Sequence, residues 1–159
     1  MDTSLGYATI DPLPADERAA LREFVDRGTA DYEWWAEPLL FLDDLQHPGH
    51  LAGSTELCLR LDDPAVDSYM ASIDFERIVR ALESASARFR VGWELALAGK
   101  PTGRIVQGRR SPEVDEAIQD LLQICELHGL HPEELDREAI LEELRHRVDR
   151  PRPLLSLPN

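Results

Sequence analysis

Between residues 88 and 97 apolar side chains alternate with small or charged ones, and this alternation constrains the fold more than any other feature of the chain. The apolar positions are Phe89, Val91, Trp93, Leu95 and Leu97. A period of two places such positions on one face of a β-strand. A glycine-flanked segment, residues 99–103, then leads into a second apolar arm at 104–107. The pattern predicts a β-hairpin at about 88–107 with a longer loop.

Other periodic segments predict one further strand and five helices. Residues 56–62 alternate again, which predicts a half-buried strand with Leu57, Leu59 and Leu61 on one face. The predicted helices extend from the proline- and acid-rich start at 11–17 to Gly28, over about 31–45 with a bend at Pro38, over about 74–87, from Ser111 to Gly129, and over about 131–147.

Together these elements predict an α+β fold. We expect a small, mostly antiparallel sheet of about three strands, including the hairpin, packed with about five helices. The last two helices, joined by a very short connection, should form a C-terminal αα-hairpin. We expect a single domain at 1–149 and a proline-broken tail at 150–159. The alternation also indicates that one sheet face stays in contact with water or meets a partner.

The overall charge argues against several classes of partner. The chain has 31 acidic and 17 basic residues, a net charge of −14. A protein this acidic repels phosphate backbones, so we expect no direct binding of nucleic acid. No run of about 18 apolar residues is present, so we expect no membrane span. The two cysteines, Cys58 and Cys125, suggest no disulfide scaffold, and no secretory signal follows Met1, so we expect a cytoplasmic location.

Motifs for catalysis or cofactor binding do not emerge from the sequence. We therefore predict no catalytic residue, no cofactor and no metal, and the chain reads as a non-enzyme. The closest candidate for zinc is Cys125, His128 and His131 combined with His47 or His50. Three of these have local structural explanations: Cys125 continues an apolar helical seam, His128 lies in a last helical turn, and His131 lies at an N-cap position.

The acidic residues are unevenly distributed along the chain. Residues 1–76 contain 17 acids and 4 bases, whereas residues 77–159 contain 14 acids and 13 bases. Within the first half, residues 28–59 contain six acids and no Arg or Lys, with aromatic residues between them. Conversely, residues 88–110 contain six bases and the single acid Glu94. The charge map therefore predicts one acidic and one basic surface.

Acidic residues beside aromatic ones are typical of a protein that binds a basic partner, because charge steers the encounter and an aromatic anchor supplies affinity. The candidate partner-binding residues are Asp31, Tyr32, Glu33, Trp34, Trp35, Glu37, Asp43 and Asp44. We predict a non-enzymatic interaction module that masks a basic surface of a partner protein. A bacterial immunity protein, an inhibitor of a nuclease-type toxin, is the most specific form of this hypothesis.

Three alternatives stay open. The first is a small enzyme or ligand-binding domain with a pocket between sheet and helices, for which the candidates are Trp93, Glu94, His128 and Asp63. The second is a homo-oligomeric scaffold in which the basic hairpin of one copy meets the acidic half of another. In the third, the basic hairpin folds onto the acidic half of its own chain, and both neighbouring tryptophans are core residues.

Overall fold

Residues 3–58 and 63–129, with residues 138 and 142, are described by a computed structural model of the chain. The elements in chain order are β1 (Ser4–Thr9), α1 (Ala15–Thr29), β2 (Leu42–Asp43), β3 (Leu51–Glu56), α2 (Pro64–Phe89), β4 (Trp93–Leu97), β5 (Lys100–Val106), β6 (Arg109–Arg110) and α3 (Pro112–Leu127). The strands form one antiparallel sheet in the order β2-β3-β1-β4-β5-β6. The predicted α+β class is confirmed.

The strand count differs from the prediction, because the sheet has six strands in the described part of the chain instead of about three. The central strand, β1, is absent from the prediction, although it pairs with β3 on one side and with β4 on the other. Its residues Leu5, Tyr7 and Thr9 are buried and alternate with small residues. Small residues weaken a period-two signal, and this explains the omission.

The hairpin of β4 and β5 is confirmed, but its turn is shorter than predicted. Ala98 and Gly99 form the turn with φ values of 53° and 78°, the positive values that a two-residue type I′ turn requires. Most of the expected loop belongs to β5. Pro101, which has no N–H, is tolerated there beside a bulge in β5, where Thr102 is the extra residue between the partners of Leu95 and Ala96. The hydroxyl of Thr102 accepts the N–H of Leu97 at 2.8 Å.

A second two-residue turn follows directly and was not predicted. Gln107 and Gly108 have φ values of 52° and 74°, and they connect β5 to β6. Strands β4, β5 and β6 therefore form an antiparallel meander closed by two turns of the same kind.

Helices α1 and α3 lie where the sequence places them. Helix α2, in contrast, begins at Pro64, nearly three helical turns before the predicted start at about residue 74. The cause is a local cap: the Asp63 carboxylate accepts the N–H groups of Ala65 and Val66 at 3.1 and 3.2 Å, and Pro64 occupies the first helical turn. At its other end α2 extends to Phe89, so the first residues of the alternating run do not belong to β4.

The helix predicted at 31–45 is wrong. This segment is irregular and extended, and its last part contributes β2. Pro38 opposes a continuous helix, and the N–H groups of Trp35, Ala36 and Leu40 are bonded to side chains from other elements instead of to helical carbonyls.

Two further predictions fall partly or wholly outside the described residues. Strand β3 ends at Glu56, so the strand predicted at 56–62 overlaps it by one residue, and residues 59–62 are not described. Of the predicted helix at 131–147, the structure describes only Glu138 and Glu142, both helical and exposed. The αα-hairpin and the tail at 150–159 therefore stay predictions, as does the single domain at 1–149.

The core lies on one face of the sheet. Buried residues of the strands and of α1, α2 and α3 form one hydrophobic cluster, which includes Leu5, Tyr7, Trp93, Leu95, Ile105, Leu21, Val25, Phe75, Ile78, Leu82, Val114 and Leu121. Burying each large side chain contributes about 1.5–3 kcal/mol. The opposite face carries small and charged residues that are exposed or half-buried, among them Gly6, Ala8, Ser54, Glu94 and Arg104.

An ion-pair network joins the edge strand β6 to α2 and α3. The Arg110 guanidinium, 16% exposed, contacts Glu76 through both of its terminal nitrogens and Glu83 at 2.9 Å, and it lies 3.3 Å from Asp115. Burial raises the pKa of Glu76, but hydrogen bonds and charge from Arg110 and Arg80 outweigh it, so this pKa lies below its ordinary value. The hydrogen bond to Glu76 in turn raises the pKa of Arg110.

The substitution Gly53→Ala should destabilise the protein. An added Cβ would overlap the carbonyl oxygen of Leu40 and would lie 2.5 Å from Cε2 of Tyr7. We expect the free energy of unfolding, measured with urea, to fall by about 2–3 kcal/mol. The matched control is Gly6→Ala in the neighbouring strand, where the nearest atom is 3.6 Å away. Equal losses in both variants would contradict the close approach of Leu40.

The substitution Glu76→Gln should lower stability at neutral pH but not in acid. Because the folded-state pKa of Glu76 is depressed, its contribution is complete above the ordinary value of 4.5 and is lost as pH falls through the lower folded-state value. At pH 7 we expect a loss of about 1 kcal/mol, since the carboxylate is partly exposed. The difference between variant and wild type should shrink towards pH 3. A difference independent of pH would refute the assignment.

Candidate partner-binding site

Residues 31–45, which we call the acidic segment, lead from the end of α1 to the edge of the sheet. Asp31, Glu33 and Glu37 are exposed, whereas Tyr32 and Trp34 are half-buried. The rings of Tyr32 and Trp34 meet edge to face, with centroids 5.5 Å apart. The acidic segment therefore combines charged side chains in water with an aromatic pair at the protein surface.

A buried carboxylate on α2 holds the first half of the acidic segment. Asp74 is completely buried, and its Oδ2 accepts the backbone N–H groups of Trp35 at 3.0 Å and of Ala36 at 3.3 Å. Trp35 itself is only 7% exposed. Asp74 therefore fixes the backbone of the acidic segment at Trp35 and Ala36 against α2.

One helical turn further along α2, Arg77 supports the same stretch. Its Nη1 donates to the carbonyl oxygen of Glu33 at 2.6 Å and lies 3.8 Å from Oδ1 of Asp74. Its guanidinium also lies over the ring of Tyr32, 5.8 Å from the centroid. Arg77 therefore connects the aromatic pair to the buried carboxylate.

The central strand holds the second half of the acidic segment. The hydroxyl of Tyr7 donates to the carbonyl oxygen of Leu40 at 2.7 Å, and it receives the Leu40 N–H at 3.2 Å. Burial raises the pKa of Tyr7, so the hydroxyl stays protonated at neutral pH. Phe41, which follows Leu40, stacks on Trp93 in the core, with ring centroids 5.2 Å apart. The chain is thus fixed immediately before β2.

Three leucines around these contacts are exposed to solvent. Leu40 is 60% exposed, Leu42 is 71% exposed and Leu45 is 95% exposed. Single exposed leucines are ordinary on protein surfaces, but several within six residues form an apolar patch. We call these three residues the leucine patch.

Two acidic residues near the leucine patch have contacts within the chain. Asp43 Oδ1 accepts from Arg22 at 2.9 Å and lies 3.3 Å from Nε of Arg18. The Asp44 carboxylate accepts the N–H of Gln46 at 3.0 Å, a backbone hydrogen bond that lowers the pKa of Asp44, and it also contacts His47. These acids therefore shape the turn after β2 and attach it to α1.

The eight predicted partner-binding residues lie on one continuous segment, and their burial differs. Trp35 is a core residue, Trp34 is half-buried against the core, and the acids are exposed or half-buried. Sequence reasoning missed the leucine patch and the two residues that hold the segment, Tyr7 and Asp74. A signal for the patch existed: residues 39–42 are all apolar directly after Pro38, and an extended chain cannot bury both of its faces at a sheet edge.

The histidine and cysteine residues considered as zinc ligands in the sequence differ from one another in their surroundings. Cys125 is buried, its Sγ donates to the carbonyl oxygen of Ala65 at 3.2 Å, and burial raises its pKa to about 11. His128 is exposed beyond the end of α3, and the rings of His47 and His50 are 6.1 Å apart. His131 lies outside the described residues. Within residues 3–58 and 63–129, no group of three or more His, Cys, Asp or Glu side chains is arranged to hold a metal ion.

The four residues proposed for a pocket between sheet and helices lie in separate places. Trp93 is completely buried in the core, whereas its neighbour Glu94 projects from the opposite face of the sheet and accepts a hydrogen bond from Arg104 at 2.8 Å. Asp63 caps α2, and His128 follows α3.

Comparison of the chain with protein-family models, with curated proteins and with solved structures finds no match. No helix in the described part of the chain has the length and apolar character needed to cross a membrane.

The substitution Asp74→Ala should loosen the acidic segment. It would leave the N–H groups of Trp35 and Ala36 without their acceptor, so we expect a loss of about 2–4 kcal/mol in the free energy of unfolding. Hydrogen exchange at these two amides should accelerate more than exchange in β4. Asp120→Ala, at an exposed position of α3, is the control and should change stability by less than about 0.5 kcal/mol. Unchanged protection at residues 35 and 36 would rule out the anchoring role.

Proposed function

We propose that this chain is a non-enzymatic interaction module that masks a basic surface of a partner protein. One observation carries the proposal: the leucine patch is exposed on a segment that contains five acids and no Arg or Lys, and contacts to α2 and β1 fix that segment.

The two kinds of side chain supply different parts of the interaction. Asp31, Glu33 and Glu37 create a negative field that steers a basic protein towards the segment. The leucine patch supplies apolar area, and burying one exposed leucine side chain contributes up to about 2 kcal/mol. Protein interfaces commonly combine apolar area with polar and charged side chains.

The fixed backbone favours binding because little conformational entropy is lost on association. Asp74 holds the first half of the acidic segment and Tyr7 holds the second, so the leucine patch is presented in one arrangement. In this proposal Trp35 supports the surface from the core, and the half-buried Trp34 contacts the partner at the margin of the interface.

A bacterial immunity protein against a nuclease-type toxin is the most specific form of the proposal. The active site of a nuclease is shaped for phosphate, and exposed carboxylates can occupy such a site. A partner of this class explains a strongly acidic binding segment better than a neutral protein does.

The leucine patch can be tested by co-purification from the native host. Wild type should recover a basic protein in stoichiometric amount, and the double variant Leu42→Ser/Leu45→Ser should reduce recovery at least tenfold while leaving the circular dichroism spectrum unchanged. Val106→Ser is the matched control, because Val106 is 48% exposed on β5, away from the acidic segment. Recovery that is equal for the double variant and the control would contradict the proposal.

The charge contribution has a separate readout in the same complex. Raising salt to about 0.5 M should slow association with little effect on dissociation. Glu33→Gln/Glu37→Gln should weaken this salt dependence. A captured partner with an acidic surface, or association that is indifferent to salt, would also overturn the proposal.

A further inference from the structure

A cleft between α1 and α2 has the composition of a ligand site. Its volume is about 1010 Å³, at the upper end of the usual size of small-molecule sites. Phe24 of α1 meets Phe89 at the end of α2, with ring centroids 5.6 Å apart and nearly perpendicular. Tyr32, which follows α1, meets Arg77 earlier in α2, so the two helices run antiparallel. Tyr32 lines the opposite end.

Small residues in both walls leave space in the cleft unfilled. At Gly28, which lies in the cleft wall, an added Cβ would meet no atom within 4 Å. The rings of Phe24 and Phe89 are half-buried, so each keeps an apolar surface accessible from the cleft. The cleft therefore offers apolar contact and unfilled space together.

Three arginines line the cleft together with Glu23 and Glu83, in a chain whose net charge is −14. Arg27 pairs with Glu23, and Arg80 pairs with Glu76 at 3.1 Å. Arg88 makes no ion pair with any described residue; its guanidinium lies over the Phe89 ring, 5.9 Å from the centroid. A guanidinium that has no ion-pair partner among the described residues thus lies directly beside the aromatic pair.

We propose that this cleft binds a small amphipathic carboxylate, with its carboxylate on Arg88 and its apolar body against Phe24 and Phe89. Guanidinium pairs with carboxylate through two parallel hydrogen bonds, and the neighbouring rings reduce competition from water. A neutral apolar ligand would leave Arg88 without an ion pair, and an inorganic anion would leave the rings exposed. This inference does not rest on the proposed partner binding, because the leucine patch takes no part in it.

Calorimetric titration of the full chain with decanoate, and with decanol as the neutral analogue, tests the proposal. Decanoate should bind with one-to-one stoichiometry and at least tenfold more tightly than decanol. Arg88→Gln should weaken decanoate binding at least tenfold and should leave decanol binding unchanged. Arg109→Gln, an exposed arginine that does not line the cleft, is the matched control and should bind as wild type does.

Filling the cleft provides a second test. Gly28→Leu, which also favours the helix, and independently Ser84→Leu in the opposite wall should each abolish decanoate binding. In the unaltered protein, amide chemical-shift changes on adding decanoate should concentrate at residues 24–28 and 84–89. The proposal is overturned if decanoate fails to bind at 1 mM, if decanol binds equally well, or if the shift changes lie elsewhere.

Discussion

The burial of the Asp74 carboxylate is the constraint on which the rest of the structure depends. A carboxylate removed from water needs donors close by, because an uncompensated buried charge costs several kcal/mol. The amides of Trp35 and Ala36 and the guanidinium of Arg77 meet this need. Helix α2 thereby determines the path of the chain after α1. The segment that leaves this anchor reaches the sheet at Leu40. Its residues Leu40, Leu42 and Leu45 are exposed to solvent there.

The charged residues of this protein form two groups: those whose ion pairs join elements of the fold, and those that face solvent. Some hold elements together: Arg110 joins β6 to two helices, and Arg22 attaches Asp43 to α1. Others face solvent, and these include Asp31 at one end of the acidic segment and Arg88 at the end of α2. Counting acidic and basic residues along the sequence cannot separate these two groups, because such a count treats every charged residue as part of the surface. The acidic surface is consequently narrower than the composition suggests, and the basic region is partly internal.

Sequence patterns correctly predicted those elements whose conformation depends mainly on residues close in the sequence. Helices α1 and α3 have proline, acid and glycine at their ends, and the β4–β5 hairpin has a clear period of two. The backbone conformation of the acidic segment was not predicted, because it depends on contacts with Asp74, which lies far along the chain. The turn at Ala98 was not predicted because alanine rarely adopts positive φ. The acids and aromatics of the candidate site were predictable from composition, whereas exposure was not: only tertiary contacts show that Trp35 lies inside and Leu42 outside.

The central position of β1 has a consequence for the order of folding. Strands β4, β5 and β6 can assemble as soon as they are synthesised, because two-residue turns connect them. Strand β1 is made first, yet Leu5 must wait for Leu97, so one of its edges has no partner until most of the described chain has emerged. An unpaired edge is a template for aggregation, and the small residues on one face of β1 limit the apolar surface that it offers meanwhile. Pairing of β1 with β4 is therefore a late step in folding. Until it occurs, the unpaired edge of β1 leaves the nascent protein open to aggregation.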